Sequence, residues 1–419
     1  MTAQATTVTD PVAEGLFTGL FLDPPDDPYP QYRRLRETAP ALLASDGTLV
    51  ISRYADCDAA LRHRALGKGE ERLGFTGPDG PSPEELRQAR ERFGHSMLNA
   101  NPPEHTRLRR AVAPAFTHRH VDELRPAVER RTDTLLAELA ARSEPDGADF
   151  VELLALPLPV NVISDLLGVP ETDRTAFTAK VRTMLAMMEA STGAEGFRSA
   201  IAARDELGGY FADLLAVKGA RPENDLLSRL AAAPADARLS PDEMIATALL
   251  LFSAGFVTTT NLLGNALHLL LDLPDQQSVL REDPSRVPAA VEEFLRYDSP
   301  VQIDARTVLE PVELAGVGLR PGQVVVTVIG AANRDPEVTE EPDRLDLTRP
   351  EPVHLSFASG IHFCLGAHLA RLEAGIVLER LFCGEYASVE RAGEAVRQPG
   401  PPLRGMKRLP VTLRRAPGR

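Results

Sequence analysis

From Asn101 onward, apolar residues recur every three or four positions, the spacing of a helix with one buried face. Val121–Arg142 is the clearest amphipathic case. Leu156–Pro170 predicts an apolar helix broken up by prolines, and Thr175–Ala190 and Phe197–Ala220 predict two more, split by "STGAEG". Two-residue alternation is scarce and lies mostly in the last third, in Gln302–Glu310, Val312–Gly330 and Leu409–Leu413. An earlier stretch, "GTLVISRY" at Gly47–Tyr54, predicts a short strand running into a helix. The fold class is therefore mainly α with a small β portion.

The longest helix announces its own start. "SPDE" at Ser240–Glu243 has the form of a capping box with proline at the first helical position. The helix can run through residues 240–273, until Pro274 stops it. That is about 50 Å at ~1.5 Å per residue, the width of a domain. Its run "MIATALLLFSAGFV" is apolar all round yet shorter than the ~18 residues of a membrane span, which favours a helix through the core. The first 30 residues are rich in Asp, Pro and Thr and are expected to be an irregular surface segment.

Composition narrows the picture. With 419 residues, 43% hydrophobic and 25% charged, the chain can bury one large core, and we expect a single domain over 1–419. A net charge of −14 argues against nucleic acid as the main partner. No basic leader followed by an apolar run opens the chain, so neither a signal peptide nor a membrane anchor is expected. Three cysteines, Cys57, Cys364 and Cys383, are too few and too odd for a disulfide framework, which suggests a reducing, cytoplasmic setting.

Candidate chemistry gathers in four places. "FASGIHFCLG", residues 357–366, puts Cys364 between Gly360 and Gly366 at the mouth of a helix. A thiolate there gains from the helix dipole and orphan N–H groups, and glycines let a backbone approach something planar. His362 and Cys364 lack a second Cys/His pair for zinc, and no general base accompanies Cys364 as a nucleophile. A thiolate given to a large planar metal complex fits best. In the long helix, "SAGFVTTTN" places Gly255 and three threonines in an oily segment. Either Gly255 admits a neighbouring helix and the threonines bond back to carbonyls, or Ala254, Gly255 and Thr258 form one face with a slot for a flat ligand. Glu293 and Arg296, spaced i, i+3, can pair. "NPPEHTRLRR" predicts a helix capped by Asn101, with Pro102 first and Glu104 closing the box; its His105 and Arg109 project together as a solvated basic face or a grip on a carboxylate.

Taken together and in this order, these motifs resemble those of bacterial cytochromes P450, of the soluble actinobacterial type, over nearly the whole chain. "FASGIHFCLG" matches the family's F-x-x-G-x-H-x-C-x-G haem loop at every fixed position. "AGFVTT" resembles its oxygen groove, Glu293 and Arg296 its E-x-x-R, and "PDRL" at Pro342–Leu345 its meander motif. The resemblance implies the P450 fold, with the long helix over a haem b (iron-protoporphyrin IX) ligated by the Cys364 thiolate. It implies that Phe357 shields the sulfur, with Gly360 and Gly366 exposing backbone N–H groups to it. It implies that His105, Arg109, Arg306 and His362 hold the propionates, and that Glu293, Arg296 and Arg344 brace the loop. Leu345 stands where the family usually has Phe, and Asn101 where it usually has Asp. Cys57 and Cys383 are expected to be ordinary buried thiols.

The resemblance further implies a monooxygenase that hydroxylates or epoxidises a mostly apolar, medium-to-large secondary-metabolite intermediate, such as an antibiotic precursor. It would use O₂ and electrons from a ferredoxin and its ferredoxin reductase, and work as a monomer. Arg107, Arg110 and Arg371 are candidates for the donor face. Ala254, Gly255, Val257 and Thr258 are the candidate catalytic groove. Val257 departs from the family, which usually has an acid there, so ordinary proton delivery is in question. Peroxide-driven oxidation, oxidative coupling and a non-catalytic haem protein are the alternatives. A variable lid is expected over Arg64–Ala100, with Met184, Met187 and Met188 lining a second one or simply packing between helices.

Overall fold

The computed structural model describes residues 10–69, 80–185, 193–234 and 238–415. One helix, Pro241–Asp272, organises the rest. Its capping box forms as expected: the Ser240 hydroxyl accepts from the Glu243 N–H, and Glu243 accepts from the Ser240 N–H at 2.8 Å. By length and composition this helix could cross a membrane; burial, not brevity, marks it as a core helix, with 67% of its most apolar window inside the protein.

Its two halves belong to different cores. Ala248, Leu249, Leu251, Phe252 and Phe256 pack with helices Pro157–Leu167, Arg174–Leu185 and Ala194–Ala220. Leu262, Leu263, Ala266, Leu267 and Leu270 pack with helices His118–Ser143, Val287–Tyr297 and Ala367–Leu378. The candidate groove, Val257 and Thr258, falls at the changeover, where neither core claims the helix completely.

The β portion is small and placed for a purpose. A five-stranded sheet runs in the order Ala41–Leu43, Leu49–Ile51, Val324–Thr327, Asp304–Val308, Leu66–Gly67. Arg306 lies opposite Val325, and Gly67 opposite Thr307, so register brings Lys68 beside Asp304 and Arg306. A second sheet pairs Pro410–Arg415 with Tyr386–Arg391 and Ala148–Asp149.

Two expectations need correction. Residues 1–30 are not wholly irregular: Pro11–Leu22 is a helix, capped by the Asp10 carboxylate on the Val12 N–H, and a second helix begins at Tyr29. Phe17 and Leu20 hold the first helix to the body, a hydrophobic anchor hidden among the polar and proline residues. Asn101 does not cap its helix, which starts at Glu104 after Pro103. Its amide instead accepts from the Lys68 N–H at 2.8 Å and donates to the Lys68 carbonyl at 2.6 Å. That pairing needs a donor and an acceptor on one side chain, which Asp cannot supply. Met184 is buried with Phe177 and Val181, as in the packing reading; Met187, Met188 and residues 70–79 of the expected lid lie outside the described residues.

Candidate functional site

The loop around Cys364 is held by backbone. The Cys364 N–H donates to the Phe357 carbonyl at 2.9 Å, and Gly366 ends the loop as the residue before helix Ala367–Leu378. Gly360 has φ +72, and a Cβ there would meet the Leu61 carbonyl at 2.6 Å. Its glycine is thus required by the loop's contact with helix Tyr54–Arg62, a role different from the expected approach to a planar group. At Gly366 a Cβ would meet nothing within 4 Å. Burial pushes the Cys364 thiol up, while the Gly366 N–H, Arg109 and Arg371 pull it down.

Four predicted cations gather on one side of this loop. His105 and His362 have ring centroids 4.4 Å apart. Arg109 donates to the Phe363 carbonyl at 2.8 Å. Arg306 is buried, pairs with Asp304 at 2.5 Å and donates to the Ala305 carbonyl at 3.0 Å. Sequence reasoning missed Lys68, which reaches Asp304 at 3.2 Å and the Ala305 carbonyl at 2.8 Å. The sequence signal available for it is composition, since lysine stands only at Lys68, Lys180, Lys218 and Lys407. Burial would raise the Asp304 carboxyl, yet Lys68 and Arg306 hold it below its ordinary range. Burial, then Arg306, His105 and Lys68, press His362 down to about 3.

The decisive detail is what these groups do not bond. His105 Nε2, His362 Nε2 and Arg306 Nη2 are buried without a hydrogen-bond partner. Buried polar nitrogens left unpaired are costly, and three in one cluster, with the Arg306 guanidinium among them, mark where a polar partner from outside belongs. The central helix exposes Ala254, between buried Ser253 and half-buried Gly255. A flat group with two carboxylates on one edge and an iron facing Cys364 fits this donor set.

The groove splits in two. A Cβ on Gly255 would meet Ile163 Cγ1 at 2.7 Å. Gly255 therefore admits helix Pro157–Leu167 and is not part of a slot, correcting its place among the catalytic candidates. Thr258 Oγ1 donates to the Ala254 carbonyl at 3.3 Å, and Val257 is only half-buried. Ala254, Val257 and Thr258 remain together on the partly open side.

The brace forms, with one change of membership. Glu293 and Arg296 are fully buried and bidentate, at 2.7 and 2.8 Å. Arg296 also donates to the carbonyls of Asn333, Pro342 and Arg344. Arg344 contributes only that carbonyl: its side chain is 61% exposed and pairs with Glu341. The third side chain is Arg349, 3.5 Å from Glu293. Leu345 is buried in the core, filling the place expected of Phe. Of the expected donor-face arginines, Arg107 is bonded to Glu243 and Arg371 to Glu292, and Arg110 is exposed.

Comparison with known proteins follows the same lines. Residues 216–383 match the family described as Cytochrome P450. The chain is 39% identical to the cytochrome P450 monooxygenase PikC of Streptomyces venezuelae, over 99% of this chain and 97% of that one. It is 39% identical to the vitamin D(3) 25-hydroxylase of Pseudonocardia autotrophica, over 98% of each. Among solved structures it resembles P450BioI in complex with an acyl carrier protein bearing hexadec-9Z-enoic acid. That match has a TM-score of 0.84 and 31% identity, covering 92% of this chain and 98% of that one.

Proposed function

Because the chain belongs to the cytochrome P450 family, monooxygenases that bind haem through a cysteine thiolate, we propose that Cys364 is that thiolate here. His105, Arg109, Arg306 and His362 hold the propionates, with Lys68 behind them. The observation that carries this is the trio of buried, unpartnered atoms, His105 Nε2, His362 Nε2 and Arg306 Nη2. Haem bound through a thiolate supplies the O₂ chemistry, the sulfur pushing electron density toward O–O cleavage. Cys364→His should abolish the red-shifted Soret band of the reduced, CO-treated protein; its survival unchanged would remove Cys364 from this role.

The rest of the site positions substrate and moves protons. Ala254, small and exposed on the central helix, leaves room for a substrate against the groove. Val257 cannot carry a proton. Thr258, whose hydroxyl is held by the Ala254 carbonyl, is left as the groove's proton-handling side chain, aided by water or by the substrate's own polar groups. Val257 is also the one feature favouring the second reading, peroxide-driven oxidation or coupling. Reductant consumed, peroxide formed and product formed should be measured for the wild type, Thr258→Ala and Val257→Glu. We expect Thr258→Ala to lower coupling and Val257→Glu to change the peroxide fraction with haem binding intact. Equal coupling in all three would make Val257 a packing choice.

The substrate we infer is a medium-to-large, mostly apolar secondary-metabolite intermediate. Support comes from relatives that hydroxylate vitamin D(3) or engage a hexadecenoic acyl group. Electrons come from a ferredoxin served by a ferredoxin reductase, meeting a local basic surface that includes the exposed Arg110. Three free cysteines support a reducing compartment, the cytoplasm.

A further inference from the structure

Arg371 stands out among the cations near Cys364 because it is immobilised from two sides. Its guanidinium forms two parallel bonds to the Glu292 carboxylate, at 2.6 and 2.7 Å. It lies over the Phe357 ring, 4.5 Å from the centroid. Glu292 is itself held by His354 Nε2 at 3.1 Å. His354 Nδ1 accepts from the Ser356 N–H at 3.2 Å, so the ring proton sits on Nε2 and is donated to Glu292. The chain of contacts runs from Ser356 through His354, Glu292 and Arg371 to Phe357, whose carbonyl receives the Cys364 N–H at 2.9 Å. Burial alone would raise Glu292, but Arg371 and His354 hold it down at about 2, so it carries a full negative charge at working pH.

A surface arginine serving only as a docking handle would not need this fixture. Two hydrogen bonds and a ring face take away the side-chain freedom that makes exposed arginines weak electrostatic actors. The fixture also places an anion directly behind the cation. We propose that the Glu292–Arg371 pair, oriented by His354, sets the charge felt at the Cys364 sulfur and thereby the balance between oxidised and reduced iron. Arg371 is a positioning residue: it touches Phe357 and acts on the sulfur through that ring and through space. One-electron reduction adds a negative charge beside Cys364, so the Arg371 cation favours the reduced form and the Glu292 anion offsets it. This rests on Cys364 being the haem ligand.

The two members of the pair must then act with opposite sign, which a merely structural brace would not do. Spectroelectrochemical titration of the haem-loaded wild type, Glu292→Gln, Arg371→Leu and Arg371→Lys tests this. Glu292→Gln should raise the reduced-to-oxidised ratio at fixed potential about threefold, and Arg371→Leu should lower it about as much. Arg371→Lys keeps the charge and should stay nearer the wild type than Arg371→Leu does. Shifts of the same sign in Glu292→Gln and Arg371→Leu, or none in either, would overturn the proposal. The CO-difference band read on the same samples separates the premise from the proposal. A wild type lacking that band defeats Cys364 as ligand, whereas normal bands with same-sign shifts defeat only the role of the pair.

Discussion

Two clusters of buried charge lie in this molecule, one around Glu293 and Arg296 and one around His105, His362 and Arg306, and they are built to different rules. In the brace, Arg296 spends Nε, Nη1 and Nη2 on Glu293 and on carbonyls, while Glu293 accepts from Arg296 and the Asp346 N–H, with Arg349 Nε 3.5 Å away as an ion-pair neighbour that makes no hydrogen bond. In the cradle, His105, His362 and Arg306 each keep a buried nitrogen unpaired. Desolvating a charge is costly in both places. The Glu293–Arg296 pair recovers that cost within the protein; the cradle recovers part of it, through Asp304 and the Ala305 carbonyl, and leaves the rest to an acceptor brought from outside. Between the Glu293–Arg296 pair and the cradle the difference is therefore in hydrogen-bond saturation, where burial and charge are alike.

The largest effect should come from breaking the saturated side. Arg296→Leu leaves the Glu293 carboxylate buried with only Arg349 and a backbone N–H to answer it. A loss of about 3–5 kcal/mol of stability is expected, and with it the Cys364 loop. Chemical denaturation of the variant, followed by far-UV circular dichroism, measures it. A loss below about 1 kcal/mol would mean the pair is no brace.

The unsaturated side should answer differently. Arg306→Leu removes a donor whose Nη2 has no partner in the protein, but it also takes one of two cations from Asp304, which keeps Lys68; a smaller stability loss than for Arg296→Leu is expected, while haem is held less well. One charge-assisted contact is worth roughly 1.5–3 kcal/mol, or roughly 10- to 150-fold in affinity. Transfer of haem to an apo-globin acceptor, timed for Arg306→Leu and for the double variant with Arg109→Leu, reads this directly. Full haem retention in the double variant would refute the cradle.

Sequence legibility follows the same division. Motif positions whose chemistry is local could be read from the sequence: the Ser240 cap, the Cys364 loop, the Glu293–Arg296 pair and the strands around Arg306 all form. Positions whose role depends on what comes from elsewhere in the chain could not. Arg344 and Arg349 are both arginines of the same loop, and only the fold decides which turns inward. Asn101 has the chemistry of a cap, but Lys68, 33 positions earlier, offers a complete peptide to pair with. Arg371 reads as a free surface cation until Glu292 and Phe357 are seen on either side of it. The helix at Pro11–Leu22 was hidden for the same reason: its support is a core cluster with residues such as Val326 and Ala331.

The smallest expected effect sharpens the contrast within a single pair of neighbours. Ala254 and Gly255 are consecutive on the central helix, yet one faces the open side and the other faces Ile163. Replacing Gly255 with Ala has two opposed consequences. Helix propensity favours alanine by up to about 1 kcal/mol. Against this, the new methyl would lie 2.7 Å from Ile163 Cγ1 and 3.2 Å from its Cβ, and overpacking of that kind costs about 1–3 kcal/mol. Helix Pro157–Leu167 is itself packed in the core and cannot withdraw freely, so the clash should win, with a net loss of up to about 2 kcal/mol. Ala254→Val, one residue away, should leave stability nearly unchanged and alter the Soret spectrum or ligand-induced spin shift instead. Thermal melts and spectra of the two variants, with Ile163→Ala added to Gly255→Ala, decide between these views. If Ile163→Ala relieves part of the Gly255→Ala penalty, the contact is confirmed as the reason for glycine. If Gly255→Ala is instead as stable as the wild type but changes the Soret band, Gly255 belongs to the open side, and the division between closed and open faces of this helix must be redrawn.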